Sequence, residues 1–291
     1  MGGGTFTPSS WTSYSKTTRS ATREQNFAQR KIHPSFEPKG IKIRESRDSA
    51  EHPESTAIIL GLDVTGSMGM IAEHIAKNSL GSLMLGIYEK QPVKDPQIMV
   101  MGIGDVACDQ APLQASQFES DIRIGQQLCE LWLESGGGGN DSESYSLPWY
   151  FAMNHTSIDC FEKRGKKGYL FTFGDEMVPE TLTPSHINKT FGYSSQKSFT
   201  PQELYTSVSE RFDTFHIIVE QGNYCRSAKE RVKTNWRTLM GFHAVLLDNY
   251  EYLSEVLLSV IRVNEGEDAE DVANSWQDVG IRKTVRHALF D

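Results

Sequence analysis

The sequence predicts an α/β fold: a doubly wound, mostly parallel sheet flanked by helices on both faces. From Thr56 onward, runs of β-formers alternate with segments of helical periodicity, the pattern of a parallel sheet covered on both sides. Two of the apolar runs, Ile58–Leu62 and Tyr169–Phe173, end abruptly at an acid, Asp63 and Asp175. Between them lies a glycine-rich stretch, Ser135–Ser144. Ligands of such sheets bind beyond the carboxyl ends of the strands, and all three features belong to that edge.

The elements follow in order. Thr56–Leu62 reads as a buried strand. Met70–Tyr88 is helical, with Ile71, Ile75, Leu83, Met84 and Ile87 on one face. Gln97–Ile103 is a second strand and Leu113–Glu119 an edge strand. Ile124–Glu134 has Leu128, Leu131 and Trp132 at helical spacing, and Ser144–His155 is helical with Pro148 in its first turn. Gly168–Gly174 is a strand, with a short helix expected near Ser185–Lys189. Pro201–Arg211 is a helix with Thr200 as its N-cap. Thr214–Val219 and Gly241–Leu247 are strands around the basic helix Ser227–Met240. Tyr250–Val263 is amphipathic at i, i+3, i+4, i+7 and i+8.

Three regions result: a basic arm, residues 1–53, expected to be disordered or draped; the α/β domain, 54–265; and a helical tail, 266–291. The arm has nine Lys and Arg against five Asp and Glu, a surplus of four, so the rest carries −13 of the chain's −9 total. That balance argues against general nucleic-acid binding. No apolar run reaches the length of a membrane span, and the N-terminus lacks the charged and apolar regions of a signal peptide. A cytoplasmic protein without membrane attachment is expected. Cys108, Cys129, Cys160 and Cys225 form no CxxC pair and read as reduced, buried cysteines. The isolated histidines, among them His216 and His243, read as core residues, as do Trp132, Trp149 and Trp236.

In Asp63-Val64-Thr65-Gly66-Ser67 the side chains of 63, 65 and 67 alternate, so in an extended turn their oxygens point one way. One carboxylate and two hydroxyls suit Mg²⁺, Mn²⁺ or Ca²⁺, not zinc. Asp175 adds a second carboxylate. Glycines let backbone approach a ligand, and Asn140, Asp141 and Ser142 then offer further oxygens. Asp105 ends a strand on the same edge and is a candidate to orient a ligand or water from behind. Gly102–Ala107 fits the dinucleotide fingerprint only superficially, because no helical pattern follows. P-loop, GxSxG and HExxH motifs are absent.

Asp63-Val64-Thr65-Gly66-Ser67 resembles the D-x-[ST]-x-S signature of von Willebrand factor A domains, over about Thr56 to Val263. The order strand-DxTGS-helix, glycine-rich loop, strand-Gly-Asp-Glu adds to the resemblance. It implies a metal-ion-dependent adhesion site in which Asp63, Thr65 and Ser67 hold a cation. A second-loop residue and Asp175 would complete the shell. Aligning Gly138–Glu143 on the GGGDxPE pattern of many bacterial members puts Asn140 at the ligand position, with Asp141 the neighbouring alternative and Glu143 behind it. The third loop departs from the family's Thr-Asp-Gly: here it is Gly174-Asp175-Glu176. Glu45–Ser49 and Pro112–Ser120 also resemble stand-alone bacterial and phage A-domain proteins.

The function this implies is a non-catalytic, metal-dependent protein-binding module. The cation would accept an Asp or Glu of another protein, with an AAA+ ATPase or a multi-protein system as the kind of partner the family suggests. The alternative is a metal-dependent, phosphatase-like hydrolase using Asp63. That chemistry needs an acid at i+2, and Thr65 stands there.

Overall fold

The computed structural model describes residues 4–66, 68–134, 142–178 and 181–291. The strands are β1 (Arg44–Ser46), β2 (Thr56–Asp63), β3 (Pro96–Ile103), β4 (Leu113–Ala115), β5 (Thr156–Ile158), β6 (Gly168–Gly174), β7 (Phe212–Val219) and β8 (Ala244–Leu247). The helices are α1 (Pro8–Ser20), α2 (Arg23–Asn26), α3 (Gly69–His74), α4 (Leu80–Lys90), α5 (Arg123–Cys129), α6 (Ser146–Asn154) and α7 (Asp159–Arg164). After them come α8 (Pro184–Phe191), α9 (Pro201–Val208), α10 (Asn223–Met240), α11 (Leu253–Asn264), α12 (Ala269–Asn274) and α13 (Val279–Phe290).

Six strands form one sheet in the order β4-β3-β2-β6-β7-β8. All neighbours are parallel except β4, which runs antiparallel to β3 at the edge. The expected α/β, doubly wound, mostly parallel architecture is what the chain adopts. The chain starts in the middle at β2, builds outward through β3, then returns to add β6 on the other side. The switch point therefore lies between β2 and β6, and a crevice opens there at the carboxyl ends. Asp63 ends β2 opposite Ile103 of β3, and Leu62 is in register with Phe173 of β6.

Side chains alternate along β2. Ile58, Leu60 and Leu62 join Ile71, Leu83, Leu257 and Val285 in one core layer. Ala57 and Ile59 join Trp149, Leu204 and Trp236 in the other. Burial on both faces is why the strands read as continuous apolar runs.

Several boundaries differ from the sequence reading. The helix after β2 is interrupted: Ile75–Ser79 widens to π-type turns between α3 and α4. The helix expected over Ile124–Glu134 stops at Cys129. Beyond it the Gln114 side chain clamps the backbone of Trp132, accepting from its N–H (2.9 Å) and donating to its carbonyl (2.9 Å), so a tertiary contact replaces the last helical turns. Thr200 caps α9 as expected, in a capping box with Glu203. Cys108 is exposed, not buried, because the turn after β3 points it outward. His216, Trp149 and Trp236 are fully buried.

The first 53 residues carry α1, α2 and β1, and they lie against the body. Phe6, Trp11, Phe27 and Phe36 are buried in the main core layer. The Trp11 ring occupies the space a Cβ at Gly81 of α4 would need. Tyr14 donates a hydrogen bond to the Gly125 carbonyl (2.9 Å). Arg47 joins Asp159 (2.7 Å) and Glu162 (3.0 Å). The anchors are single aromatics at irregular spacing, so they leave no periodic signature, yet each buried ring contributes on the order of 1.5–3 kcal/mol. After residue 265, α12 and α13 follow, and α13 inserts Val285 into the same layer.

Candidate metal site

The site is built on the β2 terminus. Asp63 is 1% exposed, an expensive place for a carboxylate unless its oxygens are satisfied. Oδ1 accepts from the Thr65 backbone N–H (2.9 Å) and the Thr65 hydroxyl (2.6 Å). Oδ2 accepts from the Tyr145 hydroxyl (2.8 Å). A hydroxyl has one proton and two lone pairs. With its proton committed to Asp63, Thr65 has its lone pairs left for a cation. Val64, Thr65 and Gly66 line a cleft of about 210 Å³ at this edge.

Asp175 follows β6 directly and is fully buried. Its Oδ2 accepts from the backbone N–H groups of Tyr224 (2.8 Å) and Cys225 (3.4 Å), the first-turn amides of α10. Gly222 makes this approach possible, since a Cβ there would overlap the Asp175 carboxyl group. Asp175 Oδ1 is buried with no hydrogen-bond partner. Glu143, 3% exposed, likewise leaves Oε2 unpartnered.

The charges in this crevice are mutually unfavourable. Burial raises the Asp63 pKa, Thr65 and Tyr145 pull it down, and the Asp175 charge pushes it up again. Burial raises Glu143, and the negative charges of Asp63, Glu176, Asp109 and Asp105 add to the effect. Burial raises Asp175 against the two α10 amides. None of Asp63, Glu143 and Asp175 has an ion-pair partner among the described residues. A crevice of buried carboxyls with two orphaned oxygens is one that a cation would stabilise.

Among the described residues, no group of three His, Cys, Asp or Glu converges closely enough to chelate a metal unaided. Hydroxyl oxygens, which the sequence motif relies on, are not among those residue types. Asp63, Thr65, Glu143 and Asp175 are placed at this edge. Ser67, Asn140 and Asp141 lie outside the described residues. Ser142 bridges to Met177, which sets the end of the glycine-rich loop beside the loop after β6. Asp105 lies at the same edge: its Oδ1 accepts from the Ala107 N–H (2.9 Å) and its Oδ2 from the Cys108 thiol (3.0 Å). It closes its own turn and acts on the site as a negative charge near Glu143.

Sequence reasoning missed Tyr145, Gly222 and the α10 amides. Tyr145 is fully buried, between His216 (ring centroids 4.9 Å apart) and Trp236 (5.6 Å). It also explains Gly174, because its hydroxyl and ring fill the space where a side chain at 174 would project. The one available signal was Val219-Glu220-Gln221-Gly222-Asn223, a strand end followed by glycine and a helix, which marks a further loop on the same edge.

No family model matches the chain, and no curated protein matches it. Among solved structures it is similar to the pilus adhesin SpaC from Lactobacillus rhamnosus GG, at 10% identity and a TM-score of 0.51, over 76% of this chain and 32% of that one. It thus spans about a third of that protein's length, and the likeness is one of fold. Two others are more distant. Proximal thread matrix protein 1 from the mussel byssus, with a zinc-occupied MIDAS motif, has 12% identity and a TM-score of 0.39 over 77% and 48% of the two chains. A von Willebrand factor type A protein from Catenulispora acidiphila has 11% identity and a TM-score of 0.39 over 74% and 44%.

Proposed function

We propose that the chain is a von Willebrand factor A-type module that binds another protein through a divalent cation and performs no catalysis. The observation that carries this reading is the pairing of Asp63 and Asp175 across the β2–β6 switch point, with Thr65 bonded to Asp63 and Asp175 Oδ1 unpartnered. Asp63, Thr65 and Asp175 would hold the ion, joined by Ser67 and by Asn140 or Asp141, and Glu143 would add negative charge behind them. Carboxylate and hydroxyl oxygens favour Mg²⁺, with Mn²⁺ or Ca²⁺ as substitutes. The bound ion would supply an electrophilic position for an Asp or Glu of a partner, a member of a multi-protein system or an AAA+ ATPase.

The residue at i+2 weighs against the phosphatase-like alternative. Thr65 spends its proton on Asp63 and offers no general acid. The test is a Mn²⁺ titration, followed by electron paramagnetic resonance, of wild type and Asp63→Ala. Saturable binding by wild type, lost in the variant, is expected. Equal binding by both would sink the reading, and metal-dependent phosphatase turnover abolished by Asp63→Asn would replace it with the alternative.

A further inference from the structure

The cleft at Thr65 has a second wall that the A-domain motif does not account for. Thr65, Gly66 and Gly69 line it together with Arg23, Phe27 and Arg30 of the N-terminal segment. This wall is fixed in place. Phe27 is 3% exposed in the main core layer, and Asn26 donates to the Thr18 carbonyl (2.8 Å), tying the α2 turn to α1. Arg23 lies across the start of α3, its Nη1 standing 3.2 Å from where a Cβ at Gly69 would be.

The two guanidinium groups are poorly matched by acid. Arg30 donates only to the carbonyls of Phe27 (3.5 Å) and Gln29 (3.2 Å) and meets no carboxylate within ion-pair distance among the described residues. Arg23 has Glu24 at 3.8 Å on its own exposed turn, and the charge of Arg30 also acts on Glu24 without reaching ion-pair distance. Glu134, the other acid in the cleft, turns both oxygens to the backbone amides of Gln110 and Ala111 (3.1–3.2 Å). Two arginines therefore line the same cleft as Thr65 with hydrogen-bonding capacity to spare, and Arg forks match carboxylates in a planar, two-point fashion.

We propose that this cleft receives an acidic segment of a partner protein, with one carboxylate directed to the metal edge and a neighbouring carboxylate held by Arg23 and Arg30. The inference rests on the metal-dependent reading above and adds a specificity wall supplied by the N-terminal segment. The partner is an acidic peptide stretch, not an isolated Asp or Glu.

The probe is an acetylated, amidated tetraaspartate peptide, with tetraasparagine as control, measured by calorimetry in Mn²⁺ against wild type, Arg23→Ala/Arg30→Ala and Arg23→Lys/Arg30→Lys. Mn²⁺ affinity is measured separately on the same proteins. The double alanine variant is expected to bind the aspartate peptide about tenfold more weakly or worse, as the loss of one charge-assisted hydrogen bond implies. The lysine variant should recover part of the loss, and Mn²⁺ affinity should stay within about twofold. Peptide affinity unchanged in the double alanine variant overturns the inference and leaves the metal reading standing. A parallel loss of Mn²⁺ affinity also overturns it, since the arginines would then support the edge and not the partner. Arginine-dependent peptide binding that persists in EDTA, in a wild type that takes up no Mn²⁺, supports the arginine wall and refutes the metal reading.

Discussion

Gly174→Ala tests whether Tyr145 is wedged into the site as the structure implies. A Cβ at 174 would stand 2.5 Å from Tyr145 Cε1 and nearer still to Cζ and the hydroxyl. Carbon atoms in contact sit about 3.5–4.0 Å apart, so the ring must retreat by ~1 Å or more. It has nowhere to go, being fully buried against His216 and Trp236. Overpacking of this kind costs about 1–3 kcal/mol. Retreat of the ring also breaks the 2.8 Å bond to Asp63 Oδ2, and a hydrogen bond to a charged group is worth about 1.5–3 kcal/mol. The expected loss is therefore roughly 2.5–6 kcal/mol, a large share of the ~5–15 kcal/mol available to a typical domain. Urea denaturation in EDTA, followed by far-ultraviolet circular dichroism, measures it. Because the variant stands near the limit of folding, Tyr145→Phe serves as the companion and should lose only the hydrogen-bond part, about 1.5–3 kcal/mol. Gly174→Ala within about 1 kcal/mol of wild type would refute the packing argument.

Gly222→Ala should lower both stability and Mn²⁺ affinity, because the added methyl overlaps the Asp175 carboxyl group; thermal melts with and without Mn²⁺ check it. Metal-free stability should fall as pH rises above the ordinary carboxylate range. The folded-state pKa values of Asp63, Glu143 and Asp175 are raised, so folding takes up protons there and the contribution is lost as they ionise. Saturating Mg²⁺ should remove most of that decline, adding about 2.7 kcal/mol at one hundred times Kd; a metal-insensitive pH profile would contradict it. Asp159 behaves oppositely: burial opposes its ionisation, but Lys163, the Asp48 N–H and Arg47 overcome this and lower its pKa. Asp159→Ala should cost about 1.5–3 kcal/mol at neutral pH, and the difference from wild type should shrink in acid melts.

Legibility in the sequence followed from what is local. That Asp63 and Asp175 stand at strand ends on one edge could be read because strand period and strand ends are written in consecutive residues. The Gly174 departure looked like an irregularity in the third loop. It is instead complementary to Tyr145, which lies 29 positions earlier in the sequence. Asp105 stands at the same edge after β3, and its bonds to Ala107 and Cys108 within its own turn have no counterpart in the strand pattern. The helix expected to reach Glu134 is cut short by Gln114, a residue from another element.

The sequence alone determined the layer architecture, since apolar runs of strand length separated by helical periodicity admit a sheet with two covered faces and little else. It also determined which residue types stand at the carboxyl edge. The tertiary structure decided what surrounds them. Tyr145 and the α10 amides reach the carboxylates from elements distant in sequence. The N-terminal segment, aperiodic and basic, is held by Phe6, Trp11, Phe27 and Phe36, each buried for its own surface area and not as part of a repeat. Periodicity records a face that an element buries as a whole. Single anchors and carboxylate partners depend on which surfaces meet, and only the folded chain specifies that.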